Sequence, residues 1–444
     1  MSLLDRLLAN RLAKGRLTIV GHDGHIRHFG DGDPAWPQAT LRIHAAGAER
    51  RILTNPRLGL AEAYMNGDVS VDDDDVMALV ELVRRNNPWE KGGEIGDPKP
   101  LKRLATMLVR PLRQLNSLAK SRSNVAHHYD LSNNFYQLWL DDNMQYSCAF
   151  WPDAVAEPGG PARSAMSLDA AQRAKMAHIA AKLCLEPGQL VLDIGCGWGG
   201  MAIYLAQQFD VRVHGITLSQ EQLTLARQRA LAARVDDRVT FELIDYRDLA
   251  RRDAGNYDRI VSVGMFEHVG VPQFPDFFRA CANLLRDDGV MLLHTIGRMG
   301  KAGATDAFTR KYIFPGGYIP ALSEIVTASE PVKMIATDVE LLRMHYALTL
   351  RAWDQRVAAN RAAIIAMFDE RFYRMWRFYL AGATAAFEYG GMANYQVQFV
   401  RQRRAVPLSR VYMGETETLL QGRAQGAATR PVPQPQRVKG LRAV

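Results

Sequence analysis

The sequence predicts an α/β protein: a doubly wound, mostly parallel sheet with helical additions, preceded by a small α+β domain. Three observations predict it. From Leu190 onward, short apolar runs (LVLDI, VRVHGI, VTFELI, YDRIVSV, VMLLHTI) alternate with longer amphipathic stretches, the pattern of strands joined by crossover helices. A glycine loop, VLDIGCGWGG from Val191 to Gly200, closes the first of these strands. Residues 15–85 hold a separate set of short β-rich runs broken by Asp-Gly turns. At 444 residues the chain exceeds the usual span of one core.

Along the chain, MSLLDRLLANRLAKGR has apolar residues at helical spacing, interrupted by Asp5, Arg6 and Arg11. It lacks the unbroken apolar stretch of a signal peptide. LTIVG, ATLRIHA and RRILTN then read as short strands, with HDGH and GDGDP as turns. LGLAEAYMNGDVSVDDDDVMALVELVRRNN reads as helical around an acidic turn. VDDDDV lacks the spaced ligands and glycine of a calcium loop. These elements make a small domain over 1–95, which ends in the Pro- and Gly-rich NNPWEKGGEIGDPKP.

Residues 96–123 form a basic linker or helix. Lys102, Arg103, Arg110, Arg113, Lys120 and Arg122 are set among leucines, with no acid from Leu101 to Asn124. Such a segment lies on an anionic membrane or packs as a linker with its charges outward; both readings stand. The main domain covers 124–405, with MAIYLAQQF and QEQLTLARQRALAARV as crossover helices. From VELLRMHYALTLRAW onward it reads as mainly helical and rich in aromatic residues. Residues 406–444 are an extension whose tail, RPVPQPQRVKGLRAV, reads as disordered.

Hydrophobic residues are 48% and charged residues 23% of the chain, an ordinary globular balance. The four cysteines, Cys148, Cys184, Cys196 and Cys281, form no C-x-x-C pair. That points to a reducing compartment and away from a metal site. With no run of 18 apolar residues, no spanning helix is expected, and the chain is expected in the cytoplasm. A net charge of +8 suits nucleic acid, anionic lipid, acidic substrates or simple solubility.

Gly195, Gly197 and Gly200 fit G-x-G-x-x-G, the dinucleotide pattern. A dinucleotide fold needs an acid at the end of the second strand. That position is Thr217, with no acid until Glu221. No Gly-Lys-Ser/Thr follows, which excludes a P-loop. Asp193 at the end of the first strand faces the crevice where open α/β sheets bind ligands. A carboxylate repels pyrophosphate but attracts an ammonium or a sulfonium. S-adenosylmethionine (SAM) carries both, and DIGCGWG resembles the first motif of SAM-dependent methyltransferases. Asp245, at the end of VTFELI, is placed for an adenine amino group, with Tyr246 over the ring. In isolation a strand-end cap for Asp245 and core packing for Tyr246 are the preferred readings; in series with the glycine loop they are not.

NVAHHYDLSNNFYQLWLDDNMQYSCAFW (124–151), DIGCGWGG, GITLSQEQ, DYRDL, GMFEHVG, LLHTIG and HYALTLRAW together resemble the cyclopropane-fatty-acyl-phospholipid synthase family, which includes the mycolic acid cyclopropane synthases. The likeness runs over about 124–405. Residues 15–85 resemble the N-terminal domain of the longer, phospholipid-acting members.

The resemblance implies a seven-stranded SAM-methyltransferase sheet and a catalytic domain over 124–405. It implies cofactor binding by Tyr146 and Ser147, by Asp193 to Met201 with Gly195, Gly197 and Gly199, by Thr217 and Gln222, and by Asp245 and Tyr246. It also implies that Cys148, Glu267, His294 and Tyr346, with the backbone of Ile296, hold bicarbonate at the catalytic centre.

The expected reaction transfers a methylene from SAM to a cis double bond. An alkene attacks the sulfonium methyl without prior deprotonation, and the resulting carbocation loses a proton to close a ring. A base in a dry apolar pocket suits that step. Tyr146, Phe150, Trp151 and Phe266 are expected to stabilise the cation through their faces. Alternatives are methylation without ring closure, another methyl acceptor such as a small amine, and a non-catalytic basic binding protein. The implied partner is a phospholipid bilayer with an anionic surface, met peripherally at the inner face of the membrane. The resemblance also implies a homodimer, and YDRIVSVGMFEHVG lacks the N-P-P-Y-like or paired-cysteine acceptor motif of a nucleic-acid methyltransferase, so no nucleic acid is expected.

Overall fold

The computed structural model describes residues 3–55, 58–92, 132–156 and 158–424. The basic segment 96–123, the start of the 124–151 motif and the tail lie outside the described residues.

The N-terminal domain opens with helix α1 (Leu3–Ala9) and strands β1 (Arg16–Val20), β2 (Ile26–Phe29) and β3 (Gln38–Ile43). In β1, Leu17 and Ile19 point inward and alternate with more exposed neighbours, as period-2 patterning requires. The HDGH turn is held by His25 N–H donating to Asp23 Oδ1 at 3.0 Å. RRILTN, expected as a strand, is helix α2 (Ala48–Thr54). Its consecutive Ile52 and Leu53 are both partly buried against the same core, a placement alternation forbids and a helix allows; Glu49, Arg50 and Arg51 are good helix formers.

Helix α3 (Gly59–Met65) follows, then VSV forms strand β4 (Val69–Val71) inside the stretch read as helical. The strand order is β2-β1-β3-β4, with β1 parallel to β3. Helix α4 (Val76–Asn86) closes the domain; Asp75 caps it by accepting from Ala78 N–H at 2.9 Å.

The second part begins with α5 (Asn133–Gln137) and α6 (Leu168–Lys182). A doubly wound run follows: β5 (Leu190–Ile194), α7 (Gly200–Gln208), β6 (Arg212–Thr217), α8 (Gln220–Ala232), β7 (Val239–Leu243), α9 (Tyr246–Arg252), β8 (Tyr257–Val263), α10 (Phe274–Leu284) and β9 (Leu285–Arg298). It ends with α11 (Leu322–Ser329), β10 (Ile335–Leu342), α12 (His345–Ala359), α13 (Arg361–Met367), α14 (Glu370–Glu388), β11 (Met392–Val400) and α15 (Val411–Ala424). The sheet has seven strands in the order β10-β11-β9-β8-β5-β6-β7. β11 runs antiparallel to both neighbours, and the other pairings are parallel. β5 lies between β6 and β8, so the winding reverses there and opens a crevice at its C-terminal end.

The five strand segments read from the sequence are β5 to β9. β11 and the second half of β10, from Val339, fell in the region expected to be mainly helical. Along β10, Ile335, Val339 and Leu341 stand on the exposed side and Ala336, Asp338 and Glu340 on the half-buried side, the reverse of the usual alternation. β11 buries Asn394, Gln396 and Gln398 between Ala393, Tyr395, Val397 and Phe399, so polar residues that read as surface stand inside. α14 packs against both α4 and α12, and its Phe378 and Ala381 join the N-terminal core. Among the described residues no helix is long and apolar enough to cross a membrane.

Candidate active site

The first cavity lies at the crevice above β5. Gly195, with φ +81°, and Gly197, with φ +54°, turn the chain between β5 and α7, conformations glycine adopts without penalty. A Cβ on Gly197 would meet no atom within 4 Å, so its backbone faces open cleft. Gly199 differs. It does not line the cleft, and a Cβ there would stand 2.6 Å from the Phe241 ring. Its role is to let α7 close onto β7.

Tyr146, Ser147, Asp193, Gly195, Gly197, Thr217, Gln222, Asp245 and Tyr246 all line this cleft. Asp193 is buried, and its Oδ2 has no hydrogen-bond partner. Burial pushes its carboxyl up to about 7, against the opposing pull of the Lys175 cation. A buried carboxylate oxygen left unpaired at a glycine loop fits the ammonium end of SAM.

Thr217 Oγ1 donates to Gln222 Oε1 at 2.8 Å, which aims the amide nitrogen elsewhere. Asp245 caps α9, accepting from Arg247 N–H at 2.9 Å, and it also holds the Arg247 guanidinium at 2.8 Å. Both of its oxygens are thus engaged, and Arg247 joins the lining. Lys175, wholly buried on α6, donates to Ser147 Oγ at 2.9 Å and also reaches Gln145. Gln172 donates to the carbonyls of Gln145 and Ser147 at 3.2 and 2.9 Å. α6 thereby stitches down the segment that carries Tyr146, Ser147 and Cys148.

A second cavity of about 450 Å³ adjoins the first, and the two share Tyr146, Ser147, Gly264 and His268. Cys148, Glu267, His294, Ile296 and Tyr346 all line it. Cys148 sits in the loop after α5, Glu267 in the short turn after β8, and Tyr346 in the first turn of α12. His294 and Ile296 stand two apart on β9 and so share one face. Glu267 Oε1 accepts from Ile296 N–H at 2.6 Å, while Oε2 is buried without a partner. Burial pushes this carboxyl up to about 7, so it is largely protonated below neutrality and can donate.

Burial raises the Cys148 thiol well above its ordinary range, which leaves it an S–H group rather than a nucleophile. Burial likewise holds His294 neutral. Its Nε2 lies 2.6 Å from the Asn394 amide and its Nδ1 3.2 Å from that of Gln396.

Phe308, Phe314, Leu350, Phe378, Phe387 and Met392 make much of the second cavity's wall apolar, with Arg298, Thr305, Asp306 and Thr309 also on it. Val80 and Arg84 of α4 bring the N-terminal domain into its wall. Of the four rings expected to face a cation, Tyr146 lines these two cavities and the other three line neither. Phe150 stacks on His178 at 4.0 Å, Trp151 donates to Thr349 Oγ1 at 3.1 Å, and Phe266 stacks on Phe274 at 4.2 Å in the core. Sequence reasoning missed His268, Asn394 and the aromatic wall. His268 adjoins Glu267 in one turn, a signal that was available; the others come from elements far apart in sequence.

Residues 116–397 match the family described as mycolic acid cyclopropane synthetase, and residues 4–88 match a domain of unknown function. The chain is 38% identical to the cyclopropane-fatty-acyl-phospholipid synthase of Escherichia coli K12, over 82% of this chain and 88% of that one. It is 36% identical to the tuberculostearic acid methyltransferase UfaA1 of Mycobacterium tuberculosis, over 90% and 91%. Among solved structures, the mycolic acid cyclopropane synthase CmaA1, complexed with SAH and CTAB, matches with a TM-score of 0.56 and 32% identity, covering 64% of this chain and 99% of that one.

Proposed function

This chain belongs to the mycolic acid cyclopropane synthetase family and is a SAM-dependent methyltransferase, and from that premise we propose that it adds a methylene to the cis double bond of an unsaturated phospholipid acyl chain, forming a cyclopropane. One observation carries the reading. An apolar cavity opens directly onto the cofactor cleft, and at its head lies a buried acid, Glu267, with one oxygen unpaired.

SAM supplies an electrophilic methyl. Asp193 would hold its charged end, Thr217 and Gln222 its ribose side, and Asp245 with Tyr246 its base. The alkene π pair takes the methyl, and the C–S bond breaks with its electrons left on sulfur. The positive charge passes to the acyl carbon beside the aromatic faces of Tyr146 and Tyr346. Loss of a proton from the new methyl lets its electron pair close the ring. Bicarbonate bound among Cys148, Glu267, His294 and Tyr346 would supply the base. The protonated Glu267 and the Cys148 thiol are donors suited to an anion, and the neutral His294 adds no competing charge. The apolar walls exclude the water that would quench a cation. Docking on an anionic bilayer through the basic stretch Lys102–Arg122 fits this substrate.

A second reading has support of its own: UfaA1, one of the similar relatives, is named a methyltransferase rather than a cyclopropane synthase. On that reading the cation loses a proton elsewhere and no ring forms.

The test is mass spectrometry and NMR of unsaturated phospholipid vesicles incubated with the protein and SAM, with and without bicarbonate. One added CH₂ as a ring, stimulated by bicarbonate, is the expected result. One added CH₂ as a branch or a retained alkene moves the assignment to the second reading. No mass change overturns the acyl acceptor.

A further inference from the structure

A buried polar chain runs behind the second cavity, away from its ligand-facing side. It starts at His294 on β9 and passes to Gln396, directly opposite on β11. Lys182, the last residue of α6, donates from Nζ to Gln396 Oε1 at 2.8 Å and also pairs with Glu340 on β10. Glu340 Oε2 lies 2.5 Å from Nε2 of His178. Lys182 and Gln396 are wholly buried, while Glu340 is partly open to solvent; burying the lysine cation carries a desolvation cost that invites a reason.

The polarity of the chain gives one. Lys182 has only donors, so the end of the Gln396 amide that faces it is the oxygen. The other end, an NH₂, therefore faces His294 Nδ1, which must accept. A neutral imidazole that accepts at Nδ1 carries its proton on Nε2. Nε2 then needs an acceptor, and the nearest group is the Asn394 amide. Turning that amide about so that Oδ1 accepts satisfies Nε2–H. It also gives a partner to Oδ1, which otherwise is buried without one.

We infer that Gln396, locked in orientation by the Lys182–Glu340 pair, is a positioning residue that sets the His294 tautomer, with the proton on Nε2 directed to the Asn394 amide in the cavity wall. The inference rests on the reading of His294 as part of the reaction site. Lys182 acts one step further back, through Gln396.

The test uses the full chain with ¹⁵N-labelled histidine and long-range ¹H–¹⁵N spectra of the imidazoles. The His294 signals are identified by their loss in His294→Gln. Wild type is expected to show an unprotonated Nδ1 and a protonated Nε2. Gln396→Glu puts an acceptor against Nδ1, and the pattern is expected to invert or become doubly protonated. Its kcat is expected to fall about 10–100-fold, the usual cost of losing a histidine's outer partner, with lipid KM little changed. Lys182→Arg keeps the donor and is expected to keep the wild-type pattern. Should Gln396→Glu fail to fold, Gln396→Met removes the donor and is expected to give a mixture of tautomers. A protonated Nδ1 in wild type, or the wild-type pattern in both Gln396 variants, overturns the inference. The tautomer is read without turnover, so a folded wild type inactive on phospholipid counts against the acyl-chain reaction and not against this assignment.

Discussion

The cleft above β5 takes Asp193, Thr217 and Asp245 from the ends of three neighbouring strands. The second cavity takes Cys148, Glu267, His294 and Tyr346 from a loop, a turn, a strand and a helix, and its far wall from the N-terminal domain. The first follows from the winding of the sheet and is short-range in sequence. The second exists only once α4, α12 and α14 have packed together. Each leaves one buried carboxyl oxygen unpaired, on a carboxyl pushed up to about 7; a cation in the first would draw Asp193 to its ionised form, and an anion in the second would keep Glu267 protonated. Opposite ligand charges can therefore be held side by side.

That contrast is sharpest when one site is damaged and the other read. The largest effect is expected from Glu267→Gln. It should lower kcat by about 10²-fold or more, as loss of a group serving the proton transfer does, while the SAM dissociation constant measured by calorimetry stays unchanged. Equal loss of both would merge the two sites into one.

Asp193→Asn should do the reverse, weakening SAM by about 10–100-fold, the worth of a charged hydrogen bond. The pH dependence follows from its raised carboxyl. The folded value of about 7 lies above the ordinary 3.8, so its contribution to stability is fully present below 3.8 and is lost as pH rises through 7. SAM binding runs the other way and tightens as the carboxyl ionises through that range. Asp193→Asn should flatten this slope in a calorimetric pH series.

The smallest effect is expected from Gly382→Leu. Gly382 lines the second cavity from α14, and a Cβ there meets nothing within 4 Å. The new side chain should lower kcat/KM for lipid about tenfold by occupying acyl space. It should leave SAM binding intact and raise thermal stability, because leucine outranks glycine in a helix by about 0.8–1 kcal/mol. Weakened SAM binding would show that the cavities are not separable.

The same contrast governs how much was legible beforehand. β5 to β9 and the glycine loop carry period, spacing and turn chemistry within a few residues, and they were readable. β11 was not: its Asn394, Gln396 and Gln398 are inside because Lys182, His294 and Tyr412 hold them there, and no local pattern announces such partners. The residues proposed for the reaction site came from the ordered motifs that carry the family resemblance. Composition alone would have left Cys148 and Tyr346 as core. Phe150 and Phe266 were misjudged because adjacency in sequence to site residues does not decide which way a ring points.

Tyr146 and Ser147 line both cavities at once. Donor and acceptor compartments thus have a common partition, held from behind by Lys175 and Gln172. A partition with two faces makes its two occupants mutual effectors. Whatever factor a seated acyl chain applies to the affinity for SAM, SAM must apply to the affinity for the chain, since the free energy of the doubly occupied state does not depend on the order of filling.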